Sequence, residues 1–235
     1  MITQLKNIFS STMHLFYPHV CTGCGSDLLE ANNLLCLTCL HDLPHTNFAA
    51  LPNNPVEKDF WGRIDLVAAY SQFYFSKAFL MQHLIHQLKY KNDTKIGFYL
   101  GEIMGKAMLQ SNRFSDIEGL IPLPLFASKE RKRGYNQATI ISNGISSVMN
   151  ISVLSDAVIR QHATETQTRK HRTERWENVK DSFKVAKPAE LNGKKLLLVD
   201  DVVTTGATLE ACGNVILQEV ADVKLSIATL AYAAK

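Results

Sequence analysis

VDDVVTTGAT, residues 199 to 208, closes an apolar run with two adjacent carboxylates and follows them at once with two threonines and a glycine. The preceding LLLVDD reads as a buried parallel strand reaching its carboxyl end, and TTGATLEACGNVILQ reads as a tight turn that starts a helix. In open α/β sheets ligands bind beyond the carboxyl ends of the strands, so this turn lies where a ligand is expected. Thr204, Thr205 and Thr208 offer hydroxyls, and Gly206 lets the backbone approach closely. The uncapped amides and the dipole at the helix start favour an anion. Carboxylates facing a phosphate would repel it, so Asp200 and Asp201 are expected to accept hydrogen bonds from hydroxyls. A phosphorylated sugar carries both groups. The chain has no GxxxxGK[ST] and no GxGxxG, which argues against a nucleoside-triphosphate or dinucleotide site.

Working outward, strand and helix patterns alternate from residue 64 onward. IDLVAAYSQFYF reads as one or two strands. Helices read through SKAFLMQHLIHQLKY, with Ser76 as N-cap, and through IGFYLGEIMGKAMLQ. Next come a short buried strand at GLIPLPL, a helix from about Asn136 to Val148 and a strand near AVIRQ. After a polar stretch the chain closes with strand KKLLLVD, a helix from about Ala207 to Gln218 and strand VKLSIATLAY. The fold class is therefore α/β, a parallel sheet flanked by helices. His83, His86 and Lys89 to Lys91 sit near a helix end, where cations satisfy the dipole, and read as structural. Cys212, inside a helix, reads as a small core residue.

The other four of five cysteines form two CxxC pairs, Cys21 with Cys24 and Cys36 with Cys39, eleven residues apart. Each pair is a tight knuckle, and two knuckles complete the tetrahedral thiolate set of a closed structural zinc site. Disulfides are the alternative. The N-terminal stretch lacks an export signal, so a reduced, cytoplasmic chain is expected, with an amphipathic helix ahead of Cys21. No run reaches the roughly 18 apolar residues of a membrane span. The organisation expected is a helix and zinc-binding unit at 1–45, a Pro- and Asn-rich linker at 46–63 and the α/β domain at 64–235, with His41 and His45 on the surface. Of 235 residues, 46% are hydrophobic and 20% charged, which fits a folded protein and excludes a disordered one. A net charge of +3 does not by itself imply nucleic-acid binding.

VDDVVTTGAT resembles the phosphoribosyl-pyrophosphate motif of type I phosphoribosyltransferases. The resemblance implies that Asp200 and Asp201 hold the ribose 2′ and 3′ hydroxyls. It implies too that the turn, Val203, Thr204, Thr205, Gly206, Ala207 and Thr208, receives the 5′-phosphate. Two other readings stand beside it. A response-regulator site also has adjacent carboxylates after a strand, but early in its chain, and a purely structural turn is the bland alternative. The zinc knuckle, LKYKND, IPLPLFASKERKRGYNQA and the spaced T-Q…R-x-x-N of TQTRKHRTERWENVKDSF occur in the order found in the ComF family, which the chain resembles over nearly its whole length. That family joins an N-terminal zinc unit to a phosphoribosyltransferase-like domain.

Two basic segments follow from this resemblance. SKERKRGYNQA carries Lys129, Arg131, Lys132 and Arg133 where the transferases receive pyrophosphate, usually with magnesium; Arg133 and Gly134 fit that role by position. Asn136 and Gln137 cap the next helix or bind backbone. QTRKHRTERWENVK, with Arg169, Lys170, Arg172 and Arg175, lies where a mobile lid would close over substrate. A solvated basic surface is the alternative for both. Trp176 either stacks a base or anchors its loop. Two functions remain open: an enzyme that transfers phosphoribose to an unidentified base or amine, with Asp200, Asp201 and Arg133 at the reaction centre, and a module for DNA uptake in natural transformation. The second would bind phosphoribosyl pyrophosphate, and also single-stranded DNA through Arg131, Lys132, Arg172 and Arg175, alongside DNA-uptake proteins.

Overall fold

The structure, a computed structural model, describes residues 20–27, 29, 33–75, 79–161 and 182–234. The chain divides into two compact units, residues 1–43 and 44–235. The expected N-terminal helix, Ser76 and the proposed lid, including Arg169, Lys170, Arg172, Arg175 and Trp176, lie outside the described residues.

In the smaller unit, local hydrogen bonds shape each cysteine pair. The Gly25 amide donates to the Cys21 carbonyl and the Cys21 amide to the Ser26 carbonyl, both at 2.8 Å, and Gly25 takes the left-handed conformation that closes the turn. The second pair opens the short helix α1 (Leu37–His41), where the Cys36 thiol caps the helix by accepting from the Cys39 amide.

The larger unit is built on a four-stranded, all-parallel sheet in the order β1 (Ala68–Tyr74), β6 (Lys224–Tyr232), β5 (Lys195–Val203), β2 (Gly119–Pro122). Leu196 to Val199 are each 0% exposed, which accounts for the unbroken apolar run: β5 is flanked by two strands and covered on both faces. The helices are α2 (Pro55–Phe60), α3 (Phe79–Tyr90), α4 (Thr94–Leu109), α5 (Ala127–Arg133), α6 (Gln137–Met149), α7 (Pro188–Leu191) and α8 (Ala207–Glu219). Helices α4 and α6 cross so closely at Gly144 that a β-carbon there would overlap the Phe98 carbonyl oxygen. The parallel α/β architecture read from the sequence is present.

Two expectations need correction. The strand near AVIRQ exists as β3 (Val158–Arg160), but it pairs antiparallel with β4 (Phe183–Val185) outside the parallel sheet. A three-residue strand with no crossover helix among the described residues before β4 satisfies its backbone by simple reversal. Residues 46–63 are not a free linker. They form a 3-10 turn (Phe48–Ala50) and α2, and they bury Phe48, Val56 and Phe60 in the larger unit. Asn54 is the reason. Its side-chain oxygen caps α2 by accepting from the Val56 and Glu57 amides, while its Nδ2 donates to the Ala69 carbonyl at 2.8 Å, tying the helix to β1.

Candidate functional site

The site is set by an unequal sheet edge. β2 ends with Pro122 opposite Val199, whereas the β5–β6 register continues to Val203 opposite Tyr232. Asp200 and Asp201 thus fall just past the end of β2, where the chain turns away toward α5. The Asp200 carboxylate accepts from the Asp201 amide at 2.8 Å. Asp201, only 8% exposed, accepts an ion pair from Lys89 Nζ at 2.8 Å. Burial, and then the neighbouring charge of Asp201, push the Asp200 carboxyl up from its ordinary range; the Asp201 amide, Lys89 and Arg160 pull the other way.

Past Val203, Thr204 and Thr205 are exposed and Gly206 begins α8 in a left-handed conformation, φ +74°, with no side-chain cap. Among the described residues, the first amides of α8, from Ala207 and Thr208 on, therefore have no capping side chain, apart from a long 3.4 Å approach of the Ala207 amide to Thr205 Oγ1. The turn is braced from the segment taken for a linker. Arg63 Nε and Nη2 donate to the Glu210 carboxylate and Nη1 to the Thr205 carbonyl at 3.0 Å, while the Phe60 ring lies against Gly206. Arg63 thereby fixes the loop and neutralises the acidic side chain in the first turn of α8.

A cavity of about 500 Å³ opens beside the acid pair, between the end of α3 and the α5 turn. Lys89, Lys129, Lys132 and Arg133 line it with Tyr90 and Tyr135, and among the described residues no carboxylate does. Arg133 is held by donating to Gln137 Oε1 at 2.5 Å and sits 5.5 Å above the Tyr90 ring; Tyr135 donates its hydroxyl to the Leu88 carbonyl. Gly134 ends α5 in the left-handed region, its amide bonded to the Glu130 carbonyl at 2.7 Å. Arg131 is exposed and does not line this cavity. The structure therefore brings Arg133 and Lys132 to the same side as the acid pair through Lys89, a residue read from sequence as satisfying a helix end.

A second cavity of about 490 Å³ lies on the far side of α5, bounded by Leu125, Tyr135, Thr139, Ile140, Val158 and Arg160 among others. The Arg160 guanidinium stacks 3.7 Å from the centroid of Phe126 and 5.0 Å from that of Phe183, and its buried Nε has no hydrogen-bond partner among the described residues. Neither Arg63 nor Arg160 carries a sequence signal of its role, because each acts through residues distant along the chain. Cys212 is fully buried, as expected of a core residue.

In the smaller unit the Sγ atoms of Cys21, Cys24, Cys36 and Cys39 all lie within 4.8 Å of one another, and the cysteines are free thiols. A tetrahedron with metal–sulfur bonds of about 2.3 Å has edges of about 3.8 Å. Cys24 and Cys36 are 3.7 Å apart, which suits a shared ion and is far too long for a disulfide bond. The set could hold a metal such as zinc. No helix among the described residues is long and apolar enough to cross a membrane.

Fold and site together define a phosphoribosyltransferase-like α/β protein: residues 132–235 match the phosphoribosyl transferase domain family. Competence protein F of Haemophilus influenzae is 28% identical over 210 residues, covering 83% of this chain and 89% of that protein. DNA utilization protein YhgH of Escherichia coli K12 is 28% identical over 203 residues, 85% of this chain and 84% of that one. Competence protein ComFC of Bacillus subtilis is 24% identical over 216 residues, 90% and 83% respectively. These similarities, with the four-cysteine cluster ahead of the transferase-like domain in the chain, agree with the resemblance to the ComF family read from the sequence.

Proposed function

We propose that this protein is cytoplasmic, binds phosphoribosyl pyrophosphate beyond the end of β5 and serves DNA uptake, the last supported by relatives named for competence and DNA utilization. The observation that carries the reading is the order along one chain segment of a buried acid pair, a glycine turn and an uncapped helix start. Asp200 and Asp201 accept from the ribose hydroxyls. The amides from Ala207 onward, with Thr204, Thr205 and Thr208, donate to the 5′-phosphate, and Arg63 keeps Glu210 from repelling it. The diphosphate faces Arg133 at the basic cavity, next to the Gly134 turn that ends α5. Magnesium, when it accompanies the donor, neutralises diphosphate charge, and the acid pair supplies the hard oxygen ligands that suit it. Zinc on the four cysteines staples the smaller unit.

The same basic cavity, with Tyr90 and Tyr135, suits weak contacts with single-stranded DNA, in which lysines meet phosphates and rings meet bases. A second reading, transfer of phosphoribose to a base or amine, is favoured by the second cavity, large enough for a heterocycle and edged by the stacked Arg160. Calorimetry with phosphoribosyl pyrophosphate and magnesium tests the donor reading: binding is expected for the intact protein and a marked loss for Asp200→Ala with Asp201→Ala. No binding to the intact protein would end it. Pyrophosphate release with a panel of bases and amines tests the second reading.

A further inference from the structure

Lys89 touches two parts of the site at once. Its Nζ lies 2.8 Å from Asp201 Oδ2 in a largely buried pair, with 21% of the lysine side chain and 12% of the aspartate exposed. The same side chain lines the basic cavity with Lys129, Lys132 and Arg133. It therefore stands between the carboxylate assigned to the donor's diol and the cations assigned to its diphosphate, groups that flank C1 of the sugar. We propose that Lys89 is an exchangeable cation of the donor site, held by Asp201 until the sugar hydroxyls take that carboxylate and then handed to the diphosphate. The inference rests on the donor reading above.

The physical grounds are charge and reach. A carboxylate buried beside a second carboxylate is costly without a counter-charge, so the empty site needs the lysine. A bound diol donates hydrogen bonds to the acid pair and relaxes that need. The ammonium sits on a flexible four-carbon stem at the end of α3, so it can change partners without moving backbone. The neighbouring basic cavity, in which the other charged lining groups among the described residues are cationic, gains attraction for a polyanion once Lys89 leaves Asp201.

The exchange predicts effects of opposite sign on two ligands. Phosphoribosyl pyrophosphate carries the diphosphate; ribose 5-phosphate carries the same diol and phosphate with a hydroxyl at C1. In the full chain, Lys89→Met should weaken phosphoribosyl pyrophosphate about tenfold or more by removing a charge-assisted hydrogen bond, while ribose 5-phosphate binds as before or more tightly because its competitor for Asp201 is gone. Lys89→Arg should keep most of the affinity for the diphosphate donor. Lys89→Gln, which can still donate to Asp201, repeats the measurement should the methionine variant fold poorly. Calorimetry with magnesium, alongside thermal unfolding, reads all of these. Equal losses for both ligands would mark a structural lysine, equal gains a mere plug, and unchanged affinities an idle pair; each overturns the exchange. Failure of the intact protein to bind either ligand would instead remove the donor reading, and this inference with it.

Discussion

The ring of Phe60 stands where a side chain on Gly206 would have to go: a β-carbon there would lie 2.8 Å from Phe60 Cε1. Gly206 also holds φ at +74°, so the glycine is required twice, once by backbone and once by a close neighbour. Gly206→Ala should therefore lower unfolding free energy by about 1 to 3 kcal/mol and weaken the phosphoribosyl donor by shifting the turn. Adding Phe60→Ala removes the overlap but not the left-handed backbone, so only part of the donor affinity should return. Denaturant titration and calorimetry on both variants check this.

Arg63 and Glu210 form the second brace of the turn. Arg63→Ala leaves a mostly buried carboxylate at the start of α8, facing the phosphate, and should cost about 1 to 3 kcal/mol of donor binding. Glu210→Gln in the same chain should recover part of that loss. A double-mutant cycle that shows simple additivity would remove the electrostatic role given to Arg63.

The raised carboxyl of Asp200 gives a pH signature. In the unfolded chain it titrates near an ordinary value of about 3.9, and the folded value lies above that because burial and Asp201 oppose its charge. The folded protein then binds the proton more tightly than the unfolded one. Its contribution to stability is full below about pH 4 and is lost as pH rises through the raised folded value. Asp200→Asn should flatten this decline, measured by chemical denaturation across pH. A wild-type profile that this variant leaves unaltered contradicts the assignment.

Metal content should be one zinc per chain, and Cys21→Ser should abolish or sharply reduce it, because three thiolates leave an open position. Elemental analysis of purified protein decides. Since the chain divides after residue 43, chelation should change the smaller unit while the parallel sheet keeps its circular dichroism.

Single-stranded DNA should bind weakly, without sequence preference, and lose affinity as salt rises. Neutralising Lys129 and Lys132, which line the basic cavity, should reduce the slope of log affinity against log salt by about 0.7 for each phosphate the variant leaves unneutralised. Arg131→Ala, outside the cavity, should change it less. Filter-binding titrations over a salt series measure both, and affinity independent of salt would contradict the electrostatic mechanism.

The sequence by itself determined what is local. The apolar run of β5, the acid pair at its end, the glycine turn and the start of α8 are all read from neighbouring residues, because strand period, turn chemistry and capping act over a few positions. The paired CxxC spacing is equally local, and it brought four thiols within reach of one ion. Tertiary structure alone decided who braces and who neutralises. Arg63 meets Glu210 across 147 positions, Lys89 leaves its helix end for Asp201, and Phe60 fills the space beside Gly206. Residues 46–63 looked like a linker because Asn and Pro are turn formers, yet Asn54 and Pro55 cap a helix whose apolar side is buried in the larger unit. β3 looked parallel by its place in the alternation, yet a three-residue strand takes whichever partner the returning chain offers. Ion pairs, close ring contacts and strand partners depend on distances in space that no periodicity along the chain encodes.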